Sequence, residues 1–334
     1  MIRFGILGFG LHAVRRLMPG FALAKHCRVT ALSRRNKATA LASAAEYNIP
    51  FAFDSAEDLC RCPEVDAVLV TTPNALHLQD VLLALRHGKP VLCEKPMAMN
   101  AGECRQMVEA ARKANRLLGV AQVFRFEEST AALRRRIACG QVGKPVFARG
   151  EFSFWHKDAK RTWLTDGALA GGGPIADIGV HCVDALRYVL NDEVRRVSAR
   201  GLWDQDSGSV EAAAALTLEF AGGTLGSVLV SMRAQYRTPM EIVGPQGVLR
   251  ADDALNVERP ITIELWREHR VVESEVVDNH LAYARQVDDF SLAVEGKMKF
   301  PAPGEEGWQN QEILDAAFRS LKSGKVEDVA VVPR

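Results

Sequence analysis

Asp177 and His181 stand four residues apart in GGGPIADIGVHCVD, directly behind three glycines and a proline. On a helix this spacing puts both side chains on one face, a turn apart. An imidazole titrates near neutrality and can take or give a proton, while a carboxylate beside it orients the ring or a substrate hydroxyl. A lysine can steady a developing alkoxide, and Lys95 ends an apolar strand-like run in VLCEKP. Each has a plainer alternative: an exposed helix with a stray histidine, and a surface turn.

The surrounding residues predict how the pair is held. Gly171 to Gly173 form a flexible approach, Pro174 suits a first helical position, and Ile175, Ile178, Cys182, Leu186 and Val189 make an apolar stripe. Asp177, His181, Asp184 and Tyr188 share the opposite face. Gly179 inside the helix costs about 1 kcal/mol relative to alanine, which predicts something packed closely there.

Proton chemistry of this kind serves hydride transfer, and the N-terminal residues supply the means. GFGLHA fits the dinucleotide fingerprint G-x-G-x-x-G/A through Gly8, Gly10 and Ala13: a tight turn, a close backbone approach to pyrophosphate, and close helix–strand packing. The helix start then offers N–H groups to phosphate. Where an acidic residue would take the ribose 2′-OH of NAD, this chain has Ser33, Arg34 and Arg35, suited to a 2′-phosphate. NADP(H) is therefore expected over NAD(H). Thr72, Pro73, Asn74 and His77, and Glu94 with Lys95, lie where parallel strands should end, on the side that binds ligands. With Phe9, Leu11 and His12 they complete the expected cofactor site.

These residues require particular elements behind them. Apolar runs and helical patterns alternate over the first 120 or so residues, which predicts a doubly wound parallel sheet of the Rossmann type over 1–121. From 122 to 334 the pattern turns to many short strands separated by signals such as AGG and GPQG, with two amphipathic helices at the end. An α+β domain with a large, mostly antiparallel, open-faced sheet is expected. Its free face, with alternating Val, Leu and Met in TLGSVLVSMRA, predicts a homodimer or homotetramer.

Composition limits the partners. Lys plus Arg number 42 against 41 Asp plus Glu, so no overall field draws the chain to nucleic acid or an anionic membrane. No run approaches the length of a membrane span, and no leader pattern precedes the first strand, so a cytoplasmic protein is expected. The 7 cysteines lack zinc-knuckle spacing and read as reduced thiols. His156, His269 and His280 lack ligand-like spacing, and no metal is expected.

Taken in order, GILGFGLHA, TTPNALH, CEKPMAMN, VFRF, GQVGKP, RTWLTDGALAGGGPIADIGVHCVD and DAAFRSLKSG resemble the glucose-fructose oxidoreductase / inositol dehydrogenase / MocA family of sugar and polyol dehydrogenases. The resemblance spans essentially the whole chain. It implies a Rossmann domain followed by an open-faced α/β domain, with substrate held between them. It makes Lys95, Asp177 and His181 the catalytic groups, the histidine as acid/base and the lysine as the group that polarises the reacting oxygen. Which of the two carries the proton stays open. It also implies a cis bond before Pro96 and brings Arg161 and Trp163 toward substrate. The implied activity is hydride exchange between nicotinamide and a sugar, polyol, inositol or related carbonyl compound. Two rivals share the fold: a silent NAD(P)-binding regulator, and an NAD-dependent glycoside hydrolase, against which Ser33 and Arg34 argue.

Overall fold

Six short apolar runs, Ile2–Leu7 (β1), Cys27–Ser33 (β2), Phe51–Phe53 (β3), Ala67–Val70 (β4), Val91–Cys93 (β5) and Leu118–Val120 (β6), pair in parallel in the order β3-β2-β1-β4-β5-β6. Every residue of β4 and β5 is buried, as expected of strands covered on both faces. The order reverses between β1 and β4, so the connections leaving their carboxyl ends diverge and open a crevice. In this computed structural model the described residues are 1–155 and 162–333.

Local chemistry sets the helix boundaries. Asn36 and Asn100 cap the helices Lys37–Glu46 and Ala101–Ala114 by accepting from the N–H groups of Thr39 and Glu103, and Asn115 ends the latter with φ of 50°. Ser55 caps a helix, Ala56–Arg61, that apolar periodicity did not announce. The first crossover helix carries a π-helical segment at Ala13–Leu17, in which the N–H of Met18 reaches the Ala13 carbonyl. Pro19 follows at once with no N–H to give, and the wider turn re-registers the ladder before it.

The second sheet has ten strands: Phe147–Trp155 (β7), Val194–Leu202 (β8), Ala213–Phe220 (β9), Leu225–Ser231 (β10), Arg233–Arg237 (β11), Met240–Gly244 (β12), Gly247–Ala251 (β13), Ile261–Arg267 (β14), Arg270–Val277 (β15) and Glu327–Asp328 (β16). The order is β15-β14-β13-β12-β7-β10-β9-β8-β16, with β11 on β7. All pairs are antiparallel except β7 with β10. One face is packed by helix: a Cβ on Gly150 of β7 would touch Cys182 at 3.4 Å. The other carries exposed apolar side chains, with Phe147 (54%) paired in register to Leu225 (46%). No described helix is long and apolar enough to cross a membrane.

The chain divides into two units, Met1–Val123 with Leu281–Trp308, and Phe124–His280 with Gln309–Pro333. A single cut after residue 121 does not describe this division, because Leu281–Trp308 returns to the first unit. There the bridge between Gly119 and Pro303 and the ring contacts of Phe290 with Phe4 (5.9 Å) and Phe300 (5.3 Å) extend the parallel sheet's core. All seven cysteines are free thiols, and only Cys139 is exposed.

Candidate active site

In the first unit the two glycines of the loop differ in what a side chain there would meet. Gly8 ends β1 at φ of 81°, and a Cβ there would lie 2.7 to 2.9 Å from the side chain and backbone of Thr72, so only glycine fits. A Cβ on Gly10 would meet nothing nearer than the Gly8 carbonyl, at 3.5 Å. The backbone at Gly10 therefore faces open space. Ala13 is fully buried, as close helix–strand packing requires. Phe9 points inward, 1% exposed, with its ring 5.5 Å from Tyr47 and its N–H spent on the Ser33 carbonyl. Its side chain belongs to the core.

At the end of β2, Ser33 is buried, Arg34 is half-buried and donates one N–H to the Ser43 hydroxyl at 2.7 Å, and Arg35 is exposed. Neither arginine forms an ion pair with a described residue. Thr71 donates to the carbonyls of Leu7 and Gly8, and Thr72 to the buried Asp80 carboxylate at 2.7 Å. Burial pushes the Asp80 pKa up against the opposing pull of that hydroxyl. Pro73 is half-buried and Asn74 buried. His77 is fully buried, with Nδ1 3.0 Å from the Pro96 carbonyl and Nε2 2.9 Å from the Thr72 carbonyl. Burial drives its pKa down, more than the carbonyls and Glu94 raise it. The ring joins the two strand-end loops and does not face outward.

His12 and Leu11, both half-buried, open the crossover helix. Nε2 of His12 stands 2.8 Å from Oε1 of Glu94, whose other oxygen accepts the Lys95 N–H at 3.2 Å. Burial raises the Glu94 pKa, but the His12 and Lys95 charges outweigh it and leave the carboxyl below its ordinary value. The Lys95–Pro96 bond is cis. Lys95 is half-buried beside it.

In the second unit the acid and the imidazole sit on one buried helix. Pro174 takes the first helical position, a π-helical turn spans Ile175–Gly179, and the α-helix Val180–Leu190 follows. Asp177 and His181 are each 7% exposed. The His181 ring meets the edge of Phe124 at 4.5 Å and stacks on Phe152 at 6.1 Å. Tyr236, 44% exposed, stands 6.1 Å from Phe152. The imidazole is thus framed by aromatic rings next to open surface.

An exposed polar face does not describe the rest of this helix. Asp184 is buried in a fork with the Arg125 guanidinium (2.7 and 2.8 Å) and accepts from Asn310 at 2.8 Å. Arg187 is buried too, held by Glu193 (2.8 and 2.9 Å) and Asn310 (2.6 Å). Tyr188 lies under the Arg134 guanidinium at 4.5 Å. The triglycine approach is equally tight: Gly171 caps a short turn at φ of 76°, while a Cβ on Gly172 or Gly173 would overlap Phe318 or the Glu211 carbonyl. Close packing, not flexibility, explains the glycines. A Cβ on Gly179 would lie 3.3 Å from the Pro174 carbonyl of its own helix and 3.7 Å from Val230 of β10, the latter an ordinary contact.

Trp163 is half-buried in a turn of 3-10 helix, Thr162–Thr165. Arg161 and His156 lie outside the described residues. His269 sits in the turn between β14 and β15 at φ of 65°, and His280 pairs with Asp278 at the surface. Motif reading missed Arg125, Asn310 and Glu211, because long-range polar partners leave no local spacing. Glu211 had one faint signal, a lone acid at the head of an apolar run.

Residues 2–122 match a family model described as an oxidoreductase family with an NAD-binding Rossmann fold, and residues 130–250 match the GFO/IDH/MocA C-terminal domain. The chain is 31% identical to a 1,5-anhydro-D-fructose reductase of Ensifer adhaerens, covering 98% of this chain and 99% of the relative. It is likewise 31% identical to a D-xylose 1-dehydrogenase (NADP(+)) of Haloferax volcanii, over 96% and 98%. A crystal structure of aldose-aldose oxidoreductase from Caulobacter crescentus, complexed with glycerol, superposes with a TM-score of 0.90 at 26% identity, over 98% and 99% of the two chains. With both family models matched in order and relatives aligned nearly end to end, this chain belongs to the GFO/IDH/MocA family of NAD(P)-binding oxidoreductases.

Proposed function

We propose that the protein transfers hydride between a nicotinamide and a sugar, polyol or related cyclic carbonyl compound, using NADP(H) in preference to NAD(H). The observation that carries this reading is the pairing, in one chain, of an open glycine backbone at Gly10 with a buried helix that holds a carboxylate and an imidazole one turn apart. A dinucleotide fits the residues of the first unit. The open backbone at Gly10 admits pyrophosphate, the N–H groups of the helix start face it, and Arg34 and Arg35 supply cations for a 2′-phosphate. The bound cofactor supplies the hydride acceptor or donor.

The remaining work falls to this chain's side chains. Lys95 polarises the reacting oxygen, His181 takes or returns its proton, and Asp177 orients the imidazole or the substrate hydroxyl. Phe124, Phe152 and Tyr236 offer apolar ring faces to a cyclic substrate beside His181. Trp163 and Arg161 are assigned to substrate by the family resemblance. The exposed Phe147, Leu225 and Leu229 of the open sheet support assembly of two or four copies through that face.

A panel of polyols, aldoses and keto-sugars, followed at the nicotinamide absorbance with both cofactors, tests the reading. Turnover should favour NADP(H), and Arg34→Asp should shift the preference toward NAD(H) by about 10-fold or more, the scale of one charge-assisted contact. Tight cofactor binding without turnover on any substrate would point instead to a regulator.

A further inference from the structure

We infer that Glu211 is a positioning residue for this chemistry: its carboxylate staples the start of the helix that carries Asp177 and His181. The inference rests on the function proposed above.

Glu211 is 3% exposed, and no described residue forms an ion pair with it. An isolated buried carboxylate is expensive, and here two backbone donors solvate it: the N–H of Gly173 reaches one oxygen at 3.0 Å and that of Ile175 the other at 2.9 Å. Burial pushes its pKa up while those two N–H groups pull it down. Both donors belong to the start of the helix, where N–H groups have no intrahelical partner and the dipole favours negative charge. Pro174, between them, has no N–H to offer. Glu211 therefore takes both available donors on either side of it.

The close approach is built into the sequence. A Cβ on Gly173 would overlap the Glu211 carbonyl, so glycine lets the segment leading into β9 lie directly against the helix start. Beyond the cap, Asp177 is two residues from Ile175 and His181 one turn further. At the other end Asp184 is held by Arg125 and Asn310. The two proposed reacting groups thus lie between two buried polar anchors 36 and 59 residues distant in sequence. A local Ser or Asp cap would satisfy one donor; a remote carboxylate also fixes where the helix begins relative to the sheet.

A cleft of about 330 Å³, lined by Gly171, Gly172, Trp203, Glu211 and Phe318 among others, adjoins the staple.

Glu211→Gln replaces one accepting oxygen by an amide that cannot accept, and Glu211→Asp keeps the charge on a shorter arm. With a substrate the wild type turns over, Glu211→Gln should lower kcat by about 10-fold or more, since small misplacements of reacting groups have effects of that order. NADPH affinity should stay within about twofold, a ratio worth roughly 0.4 kcal/mol, and Glu211→Asp should recover part of the kcat. The His181 imidazole titration, followed by NMR, should move in Glu211→Gln while that of His280 does not. A lower melting temperature with kcat and the His181 titration unchanged would overturn the inference, reducing Glu211 to a structural cap. The NMR arm needs no substrate: a His181 titration that moves in Glu211→Gln, when the wild type turns over no substrate, would sink the redox reading and leave the staple standing. Should Glu211→Gln not fold, Glu211→Asp is read by the same two measurements, and wild-type values of both would overturn the inference.

Discussion

The two units hold their candidate residues in opposite ways. The nucleotide half leans on backbone: Gly8 turns the chain, Gly10 leaves space, and Thr71 and His77 end on main-chain carbonyls, with the side-chain contacts Thr72–Asp80 and His12–Glu94 formed inside the same unit. The acid–imidazole half is assembled from buried side chains brought from afar, Arg125, Glu211 and Asn310, each of which loses its water to reach the helix. Backbone geometry tolerates change at all but a few glycines. Buried charge tolerates almost none, because removing one partner strands the other.

The largest effect should come from the second half. Asp184→Ala leaves the Arg125 guanidinium buried without its carboxylate, a loss of about 3–5 kcal/mol that chemical denaturation would register. A cost below about 1 kcal/mol, the scale of an exposed pair, would mean that the contrast between the halves is wrong. Next, Lys95→Ala and His181→Ala should each lower kcat by about 100-fold or more with cofactor binding retained, the usual scale for removing an acid/base or oxyanion-stabilising group. Near-wild-type turnover in either would remove that residue from the chemistry.

The first half can be sharpened with two glycines. Gly8→Ala forces a positive φ and a clash with Thr72, and should destabilise by about 1–3 kcal/mol or more as well as abolish nucleotide binding. Gly10→Ala has room for its methyl, so stability should change by less than about 0.5 kcal/mol while nucleotide affinity falls. Calorimetric titration with NADPH that finds Gly10→Ala unimpaired would argue against a phosphate at that backbone.

The smallest effect is a slope. Glu127 is 1% exposed, Oε1 meets no donor among the described residues, and burial holds its pKa well above the ordinary carboxylate range, against a weak pull from the Ser129 hydroxyl. Because the folded state binds this proton more tightly, stability is fully present below the unfolded pKa and declines as pH rises toward the folded one. Glu127→Gln should therefore gain on the wild type as pH increases from about 4.3, the free carboxyl value. Urea midpoints at pH 5 and 8 would show it, and an equal difference at both values would contradict the assignment.

The same contrast accounts for what the sequence disclosed. The Rossmann sheet, its glycine loop and most strands of the second sheet follow from apolar periodicity and turn residues, which are local properties. Asp177 and His181 were legible for the same reason, four residues apart on a helix. Asp184 and Tyr188 belong to the same stripe, yet they pack into the protein, because Arg125, Arg134 and Asn310 meet them from distant segments. Spacing cannot distinguish a face that meets ligand from one that meets a remote guanidinium. The short strand β11 and the return of Leu281–Trp308 went unread for a related reason: their pairing is decided by partners far along the chain.

That return has a consequence for biosynthesis. The Val120 N–H bonds to the Ala302 carbonyl at 2.9 Å, and a Cβ on Gly119 would strike the Phe300 ring at 2.6 Å, so the edge of the nucleotide-binding sheet is finished by chain made just over 180 residues later. During vectorial synthesis the first unit must wait, with β6 and the aromatic surface around Phe4 uncovered, until residues up to 308 leave the ribosome. A fragment stopped after residue 123 would keep that unfinished edge permanently.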